Sequence, residues 1–232
     1  MRMLESISAK KEFGEIVIYR DLFQDVTDVF TRNKASKANL VFNRGGARSS
    51  KTYSIVQLMI ERLIINSNYH ILMLRKSNAE QALYKTVEKM TESFPSIITK
   101  HDSGKAFINF HNQSVLYILN YNNHVLNTFF TVHEYDFDSV FIDEANEFFQ
   151  EEFYKISEYL VKNQLFLAFN PTKETIWIKN FISSSCSDKT IEEIHSNYKD
   201  NPFLSKEYSK NLEDLKNLDR EYYQVYTLGE WE

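Results

Sequence analysis

Short apolar runs alternate with amphipathic stretches along most of this 232-residue chain. A short apolar run between polar residues predicts a buried strand, whereas apolar side chains repeated every three or four residues predict a helix. The predicted strands are residues 39–43, 70–74, 139–142, 165–169 and 190–195. The predicted helices are residues 16–32, 51–66, 79–93 and 151–162, followed by a charged helical segment from residue 204.

Two further apolar runs, residues 107–110 and 115–119, flank His111-Asn112-Gln113-Ser114 and predict an antiparallel hairpin. Elsewhere the strands alternate with helices, which indicates an α/β domain whose mainly parallel sheet is covered by helices on both faces. The sequence contains no internal repeat, low-complexity segment or linker. We therefore expect residues 1–232 to form a single domain.

The stretch Gly45-Gly46-Ala47-Arg48-Ser49-Ser50-Lys51-Thr52 follows a predicted strand and opens a predicted helix. It fits the phosphate-loop pattern G-x-x-x-x-G-K-S/T except at Ser50, where the second glycine is expected. In such a loop, backbone N–H groups bind phosphate oxygens, the lysine reaches the β- and γ-phosphates, and the threonine hydroxyl ligates Mg²⁺. A positive φ at Ser50 would cost about 1 kcal/mol, which the loop could tolerate. The alternative is a Gly-Ser turn that merely precedes a lysine.

Two carboxylates, Asp143 and Glu144, end the predicted strand Val140-Phe141-Ile142. An aspartate in this position can hold Mg²⁺, and the adjacent glutamate can activate a water molecule as a general base. Taken alone, the pair could equally be a solvated strand end. The phosphate loop about 90 residues earlier favours a catalytic role, because two halves of one site rarely occur together by chance.

Asn170 follows the next apolar strand and precedes Pro171, so it repeats the arrangement of a polar residue at a strand end. Ligands bind at the carboxyl ends of parallel strands, where all three motifs would converge. Asn170 could then sense the γ-phosphate by hydrogen bonding. The alternative is an Asn-Pro turn that caps the strand.

The composition narrows the class of protein. Apolar residues make up 43% of the chain and charged residues 25%, as in ordinary globular domains. The net charge of −5 means that any contact with DNA would need a local basic patch or another subunit. A single cysteine, Cys186, excludes an intrachain disulfide and a cysteine-based zinc site. Without a signal-like start or a membrane-length apolar run, we expect a soluble cytoplasmic protein.

Several short segments accompany these three strand ends, in order, from about residue 40 to the end of the chain. They are Arg44-Gly45-Gly46, Lys51-Thr52-Tyr53, Leu74-Arg75-Lys76, Phe141-Ile142-Asp143-Glu144-Ala145-Asn146-Glu147, Phe169-Asn170-Pro171-Thr172, Trp177-Ile178-Lys179, Tyr198-Lys199-Asp200-Asn201-Pro202-Phe203-Leu204 and Gly229-Glu230-Trp231. Together they resemble the N-terminal ATPase domain of the large terminase subunit of tailed double-stranded DNA phages. The acidic strand end and the segment Tyr198–Leu204 are much more specific than the phosphate loop alone.

The resemblance implies a P-loop ATPase of the type with an additional catalytic glutamate, which uses ATP and Mg²⁺ to translocate viral DNA into a procapsid. It implies that Lys51 binds phosphate, that Thr52 and Asp143 hold Mg²⁺, that Glu144 is the catalytic base and that Asn170 is the coupling residue.

Two further roles are open within this resemblance. An arginine in or near the loop of this family contributes to nucleotide binding or coupling, and both Arg48 and Arg44 are candidates. Gln24, some twenty residues before the loop, is the candidate for contact with adenine, with a solvent-facing helix residue as the alternative.

Arg75 and Lys76 follow a predicted strand, and they could contact DNA phosphates or form a solvated basic loop end.

The expected partners follow from the same resemblance. They are double-stranded viral DNA, the portal protein, the small terminase subunit and further copies of this chain in a ring, in the cytoplasm of the host cell during virion assembly. The family normally carries a second, nuclease domain, and we expect no nuclease activity in residues 1–232. Two alternative functions remain, a helicase-type P-loop ATPase and a degenerate P-loop scaffold that does not hydrolyse ATP.

Overall fold

The computed structural model of this chain describes residues 7–11, 14–18, 22–23, 25–76, 80–92, 94, 98–102, 107–122, 136–184 and 188–231. Within this part of the chain, eight strands form a central sheet and two form a separate hairpin. In chain order, the strands are β1 (Ile7–Lys11), β2 (Gly14–Ile18), β3 (Leu40–Gly45), β4 (His70–Arg75), β5 (Ile98–Asp102), β6 (Phe107–Phe110), β7 (Val115–Asn120), β8 (Phe137–Ile142), β9 (Val161–Phe169) and β10 (Ile191–Ser196).

The central sheet has the strand order β10-β3-β9-β8-β4-β7-β6-β5. The pairs from β10 to β7 are parallel, and β7, β6 and β5 pair antiparallel. The predicted hairpin is therefore confirmed, and it extends the central sheet at one edge. Strand β9 lies between β3 and β8, so the phosphate-loop strand and the acidic strand are neighbours of the strand that ends at Asn170.

The helices cover the sheet and connect its parallel strands. They are α1 (Asp28–Ala35), α2 (Lys51–Ile65), α3 (Glu80–Thr91), α4 (Gln150–Tyr159), α5 (Ile176–Ser184), α6 (Lys206–Leu218) and the single turn α7 (Arg220–Tyr222), which continues into a π-helix (Tyr223–Leu228). No helix in the described part of the chain combines the length and apolar character needed to cross a bilayer.

Successive side chains of the parallel strands point to opposite faces, and both faces are buried. One core lies against α1, α2 and α3 and includes the strand residues Val41, Ile71, Met73, Phe141 and Phe166. The other lies against α4 and α5 and includes Phe42, Leu72, Leu74, Ile142 and Leu167. This two-sided burial explains why the strands read as continuous apolar runs in the sequence, and it confirms the predicted fold class.

The helix predicted at residues 16–32 is wrong. Residues 16–18 belong to β2, and α1 begins only at Asp28. The run Ile16-Val17-Ile18 is β-branched throughout, which favours a strand over a helix. The start of α1 is set by Thr27, whose hydroxyl accepts a hydrogen bond from the N–H of Phe30 at 3.3 Å.

A buried polar contact joins α1 to the strand that carries the phosphate loop. Asn33 and Asn43 are fully buried, and their side-chain amides donate to each other's oxygen atoms at 2.7 and 2.9 Å. The Asn33 amide also donates to the backbone oxygen of Val29 at 2.8 Å. Buried amides are costly unless they are paired, so this reciprocal contact specifies how α1 sits on β3.

Candidate functional site

The three strand-end motifs meet at one edge of the sheet. Strands β3, β9 and β8 are adjacent and parallel, so their carboxyl ends lie side by side. A cleft of about 600 Å³ opens above them. Its lining residues are Asp25, Thr27, Ala47, Arg48, Ser49, Ser50, Lys51, Thr52, Tyr53, Asp143, Glu144, Ala168, Phe169, Asn170, Asn201 and Phe203. The predicted convergence of the three motifs is therefore confirmed.

The phosphate loop closes with serine in place of the second glycine. Ser50 adopts the left-handed conformation, with φ of 70°, and Arg48 does so with φ of 62°. Ser50 therefore adopts the positive φ whose cost the sequence analysis puts at about 1 kcal/mol. The Ser50 hydroxyl donates to Thr27 Oγ1 at 3.1 Å, and Thr27 Oγ1 lies 2.8 Å from Ser54 Oγ. These hydroxyl contacts hold the loop in its strained shape.

The two glycines at the start of the loop allow close packing against the C-terminal segment and are not among the residues that line the cleft. A Cβ on Gly45 would collide with the backbone of Ser196, and one on Gly46 would collide with that of Thr227. The N–H of Gly46 donates to Ser196 O at 3.2 Å, and the N–H of Ala47 donates to Tyr226 O at 2.6 Å. Strand β10 and the π-helix therefore brace the first half of the loop.

Lys51 lies buried beneath the loop. Its Nζ donates to the backbone oxygens of Gly45 and Gly46, both at 2.7 Å, and to Asn170 Oδ1 at 3.3 Å. Burial lowers the pKa of Lys51 to about 8, although the negative charges of Glu144 and Asp143 oppose this shift. The lysine is thus a cation held in a poorly solvated position, within reach of the cleft.

Asp143 and Thr52 make direct contact. The Thr52 hydroxyl donates to Asp143 Oδ1 at 2.7 Å. Asp143 Oδ2 is buried, and among the described residues no hydrogen-bond donor is aligned on it. Burial raises the pKa of Asp143, whereas the Thr52 hydroxyl and then the charge of Arg75 lower it.

This donor set fits Mg²⁺. In the described residues no three His, Cys, Asp or Glu side chains cluster as a metal cage. Magnesium is commonly held by one or two protein oxygens together with phosphate oxygens and water, so the Thr52 hydroxyl and the Asp143 carboxylate suffice.

Glu144 lies beside Asp143 and lines the cleft. Its backbone is also left-handed, with φ of 51°, because the chain turns sharply from β8 into a 3₁₀ turn (Ala145–Glu147). Burial raises the pKa of Glu144, and the negative charge of Asp143 raises it further. A carboxylate whose pKa moves toward neutrality is a stronger base than a solvated one, as general-base catalysis requires.

The two candidate arginines differ in position. Arg48 lines the cleft, and its guanidinium lies 5.0 Å from the ring of Tyr208 on α6. Arg44 is buried and pairs with Glu193 at 2.5 Å, and it also donates to the backbone oxygen of Gly229. Arg44 therefore ties β10 and the C-terminal segment to β3, and only Arg48 is placed to contact a bound nucleotide.

The two basic residues at the end of β4 have partners within the protein. Arg75 lies 3.2 Å from Asp143 Oδ2, and Lys76 pairs with Glu152 at 2.6 Å. The Lys76 ammonium also lies 4.6 Å from the centre of the Phe149 ring. The sequence offered two alternatives for Arg75 and Lys76, namely a contact with DNA phosphates or a solvated basic loop end. The structure shows neither, because both side chains are paired with acidic residues of the protein.

The sequence reasoning missed several residues of the cleft. Asn201 donates to the backbone oxygen of Arg48 at 2.9 Å, and Phe203 presents an exposed ring at the cleft wall. Both belong to the segment Tyr198–Leu204, whose Asn-Pro turn after the last parallel strand was the available signal. Gln24, the predicted adenine contact, lies outside the described residues, although its neighbour Asp25 lines the cleft.

Comparisons with protein families and with solved structures both match this chain to phage large terminases. A family model described as phage terminase large subunit matches residues 37–230. No curated protein sequence matches the chain significantly. Among solved structures, the large terminase from a thermophilic bacteriophage superposes with a TM-score of 0.71 at 16% identity, covering 90% of this chain and 54% of that one.

Two further structures show the same fold. The same thermophilic phage terminase in complex with ADP gives a TM-score of 0.70 at 17% identity, covering 89% of this chain and 54% of that one. The large terminase ATPase domain of Thermus phage P74-26 gives 0.60 at 12% identity, covering 90% of this chain and 94% of that one. This chain thus spans about half the length of the first two matched proteins, and at these identities the likeness shows the fold alone.

Proposed function

Because this chain belongs to the phage terminase large subunit family, we propose that it hydrolyses ATP to drive double-stranded viral DNA into a procapsid. One observation carries the proposal. Lys51, the contacting pair of Thr52 and Asp143, and Glu144 line a single cleft at the strand ends, together with Asn170. These are the groups that phosphoryl transfer to water requires, namely a phosphate cradle, a metal site and a base.

Nucleotide binding begins with the loop and Lys51. The backbone N–H groups of the second half of the loop and the N-terminus of α2 bind the phosphates. Lys51 leaves the carbonyls of Gly45 and Gly46 to reach the β- and γ-phosphates, whose negative charge its ammonium then contacts directly. The cleft volume of about 600 Å³ is within the range of pockets that hold ligands of this size. The complex of the thermophilic phage terminase with ADP supports a nucleotide as the ligand.

Hydrolysis depends on the acidic pair. Thr52 and Asp143 would hold Mg²⁺, which when bound neutralises charge on the β- and γ-phosphate oxygens. Glu144 accepts a proton from the attacking water. Burial raises the pKa of its neighbour Asp143, and the Thr52 hydroxyl and the charges of Arg75 and Lys51 oppose that rise.

Coupling to movement starts from two contacts that nucleotide binding disturbs. Asn170 Oδ1 loses its 3.3 Å contact with Lys51 when the lysine turns to the phosphates, and the side chain can then turn so that its Nδ2 donates to the γ-phosphate. Arg48 rests on Tyr208 of α6, so a turn of Arg48 toward the phosphates releases that helix. Loss of the γ-phosphate reverses both changes.

The partners of this activity would be viral double-stranded DNA, the portal protein, the small terminase subunit and further copies of the chain in a ring, in the host cytoplasm. In this proposal, residues 1–232 supply the ATPase domain of this motor.

The variant Glu144→Gln tests the proposal. We expect it to bind ATP with Mg²⁺ within about threefold of the wild-type affinity, and to lose at least about 100-fold in single-turnover hydrolysis because the base is removed. The exposed Glu151→Gln on α4 is the matched control and should leave both quantities unchanged. Hydrolysis by Glu144→Gln at the wild-type rate would show that another group is the base.

Two other functions give different results in the same preparations. A degenerate scaffold, for which the strained Ser50 is the supporting observation, predicts neither heat nor thermal stabilisation on addition of ATP with Mg²⁺. A helicase-type ATPase predicts ATP-dependent strand separation, whereas a packaging motor moves along intact duplex.

A further inference from the structure

Arg75 ends β4, the strand next to β8, and its guanidinium reaches the acidic pair. Its Nη1 lies 3.2 Å from Asp143 Oδ2 and its Nη2 lies 3.8 Å from Glu144 Oε1. The contact lies largely out of solvent, since the side chains of Arg75 and Asp143 are 21% and 2% exposed. The guanidinium thus stands at the carboxylate oxygen that the Thr52 hydroxyl does not use.

The two carboxylates of the acidic pair already face two cations without any ligand. Lys51 and Arg75 are two cations within a cluster that contains two carboxylates, Asp143 and Glu144. A free divalent cation at Asp143 would add two uncompensated positive charges to a poorly solvated site, a few ångströms from a guanidinium. A divalent cation that arrives on a triphosphate brings excess negative charge with it. The same residues therefore repel the free ion and accept the nucleotide-bound one.

We propose that Arg75 is a positioning residue that occupies Asp143 in the nucleotide-free protein, excludes free divalent cations, and yields Asp143 only to a cation carried by a nucleotide. Its second partner, Glu144, keeps the displaced guanidinium at the site and so fixes the position of the base. This inference rests on the proposed function, because it assigns the cation to the Thr52 and Asp143 pair. It adds an order to the reaction, in which nucleotide and metal enter together.

The test uses Mn²⁺ as the probe, because the electron paramagnetic resonance signal of free Mn²⁺ reports its binding without nucleotide or turnover. We expect Arg75→Gln to bind Mn²⁺ at least about tenfold more tightly than the wild type, since the competing charge is gone. Arg75→Lys keeps the charge and should stay within about threefold of the wild type. Adding Asp143→Asn to Arg75→Gln should abolish the gain.

Arg62→Gln is the matched control. Arg62 is also a partly buried arginine, and it donates at 2.8 Å to the Oγ of Ser139, which lies in β8 four residues before Asp143. This variant should bind Mn²⁺ as the wild type does. If Arg75→Gln does not fold, Arg75→Met preserves the aliphatic stem and replaces it in the comparison.

The inference would be overturned if a folded Arg75→Gln or Arg75→Met bound Mn²⁺ with the wild-type affinity. It would also be overturned if Arg62→Gln gained as much Mn²⁺ affinity, or if the gain in Arg75→Gln persisted after Asp143→Asn was added. Calorimetry of the wild type with ATP and Mg²⁺ separates this failure from failure of the proposed function. Wild-type protein that binds ATP with Mg²⁺ while the Arg75 variants show no gain contradicts the role of Arg75 alone. Wild-type protein that binds no nucleotide contradicts the proposed function.

Discussion

Lys51→Met should make the nucleotide-free protein more stable at neutral pH while abolishing nucleotide binding. Burial lowers the pKa of Lys51 from 10.5 to about 8. At about 1.4 kcal/mol per unit, the folded protein therefore loses about 3 kcal/mol by keeping this lysine charged at pH 7. The substitution also removes the hydrogen bonds to the Gly45 and Gly46 oxygens, worth about 1 kcal/mol each. We expect a net gain of about 1 kcal/mol at pH 7.

The pH dependence is the sharper part of this prediction. Because the pKa of Lys51 is lower in the folded than in the unfolded protein, the unfolded chain binds more protons between about pH 8 and pH 10.5. The free energy of unfolding of the wild type must therefore rise with pH across that window, relative to the variant. By pH 10 the wild type should have gained about 2 to 3 kcal/mol, so the order of stability reverses.

Urea unfolding of both proteins at pH 7, 8, 9 and 10, without nucleotide, measures this difference. Titrations common to both proteins cancel in the comparison. The exposed Lys216→Met on α6 is the control, and its difference from the wild type should not vary with pH. A Lys51→Met difference that is constant within about 0.5 kcal/mol, or that moves in favour of the variant as pH rises, would refute the buried-cation argument.

Three further substitutions test the loop and its supports. Ser50→Gly removes the strain of a positive φ but costs chain entropy on folding, so hydrolysis should change less than about threefold, whereas a rise of tenfold or more would favour the degenerate-loop alternative. Gly46→Ala should lower the free energy of unfolding by about 2 kcal/mol or more in urea, because its Cβ would meet Thr227 O. Asn33→Leu should cost about 1 to 3 kcal/mol by leaving Asn43 buried without its partner, and a melt equal to the wild type would contradict that reading.

Much of the fold was readable from the sequence because its signals are local. Buried parallel strands give apolar runs, and amphipathic helices give a repeat of three or four residues. The strands from β3 onward were therefore located with the exception of β5, together with helices α2, α3 and α4. The prediction of a helix at residues 16–32 was wrong because it also relied on a local signal alone. Its apolar positions suit either structure, and pairing of β2 with β1 decided the outcome.

The residues that meet at the candidate site could also be predicted where one motif contains them. The loop through Thr52, the acidic pair and Asn170 each follow an apolar strand, and parallel strands end at one edge of a sheet. That topology, together with the family resemblance, sufficed to predict that they meet.

Contacts between residues distant in the sequence were decided only by the tertiary structure. Spacing along the chain does not encode which strand lies beside β4, so the sequence could not show that Arg75 faces Asp143. The sequence also could not show which arginine is placed to contact a nucleotide. Arg44 forms a salt bridge with Glu193, whereas Arg48 lines the cleft. Local periodicity shows which face of an element is buried, whereas the identity of a partner depends on strand order and register, which only the assembled sheet defines.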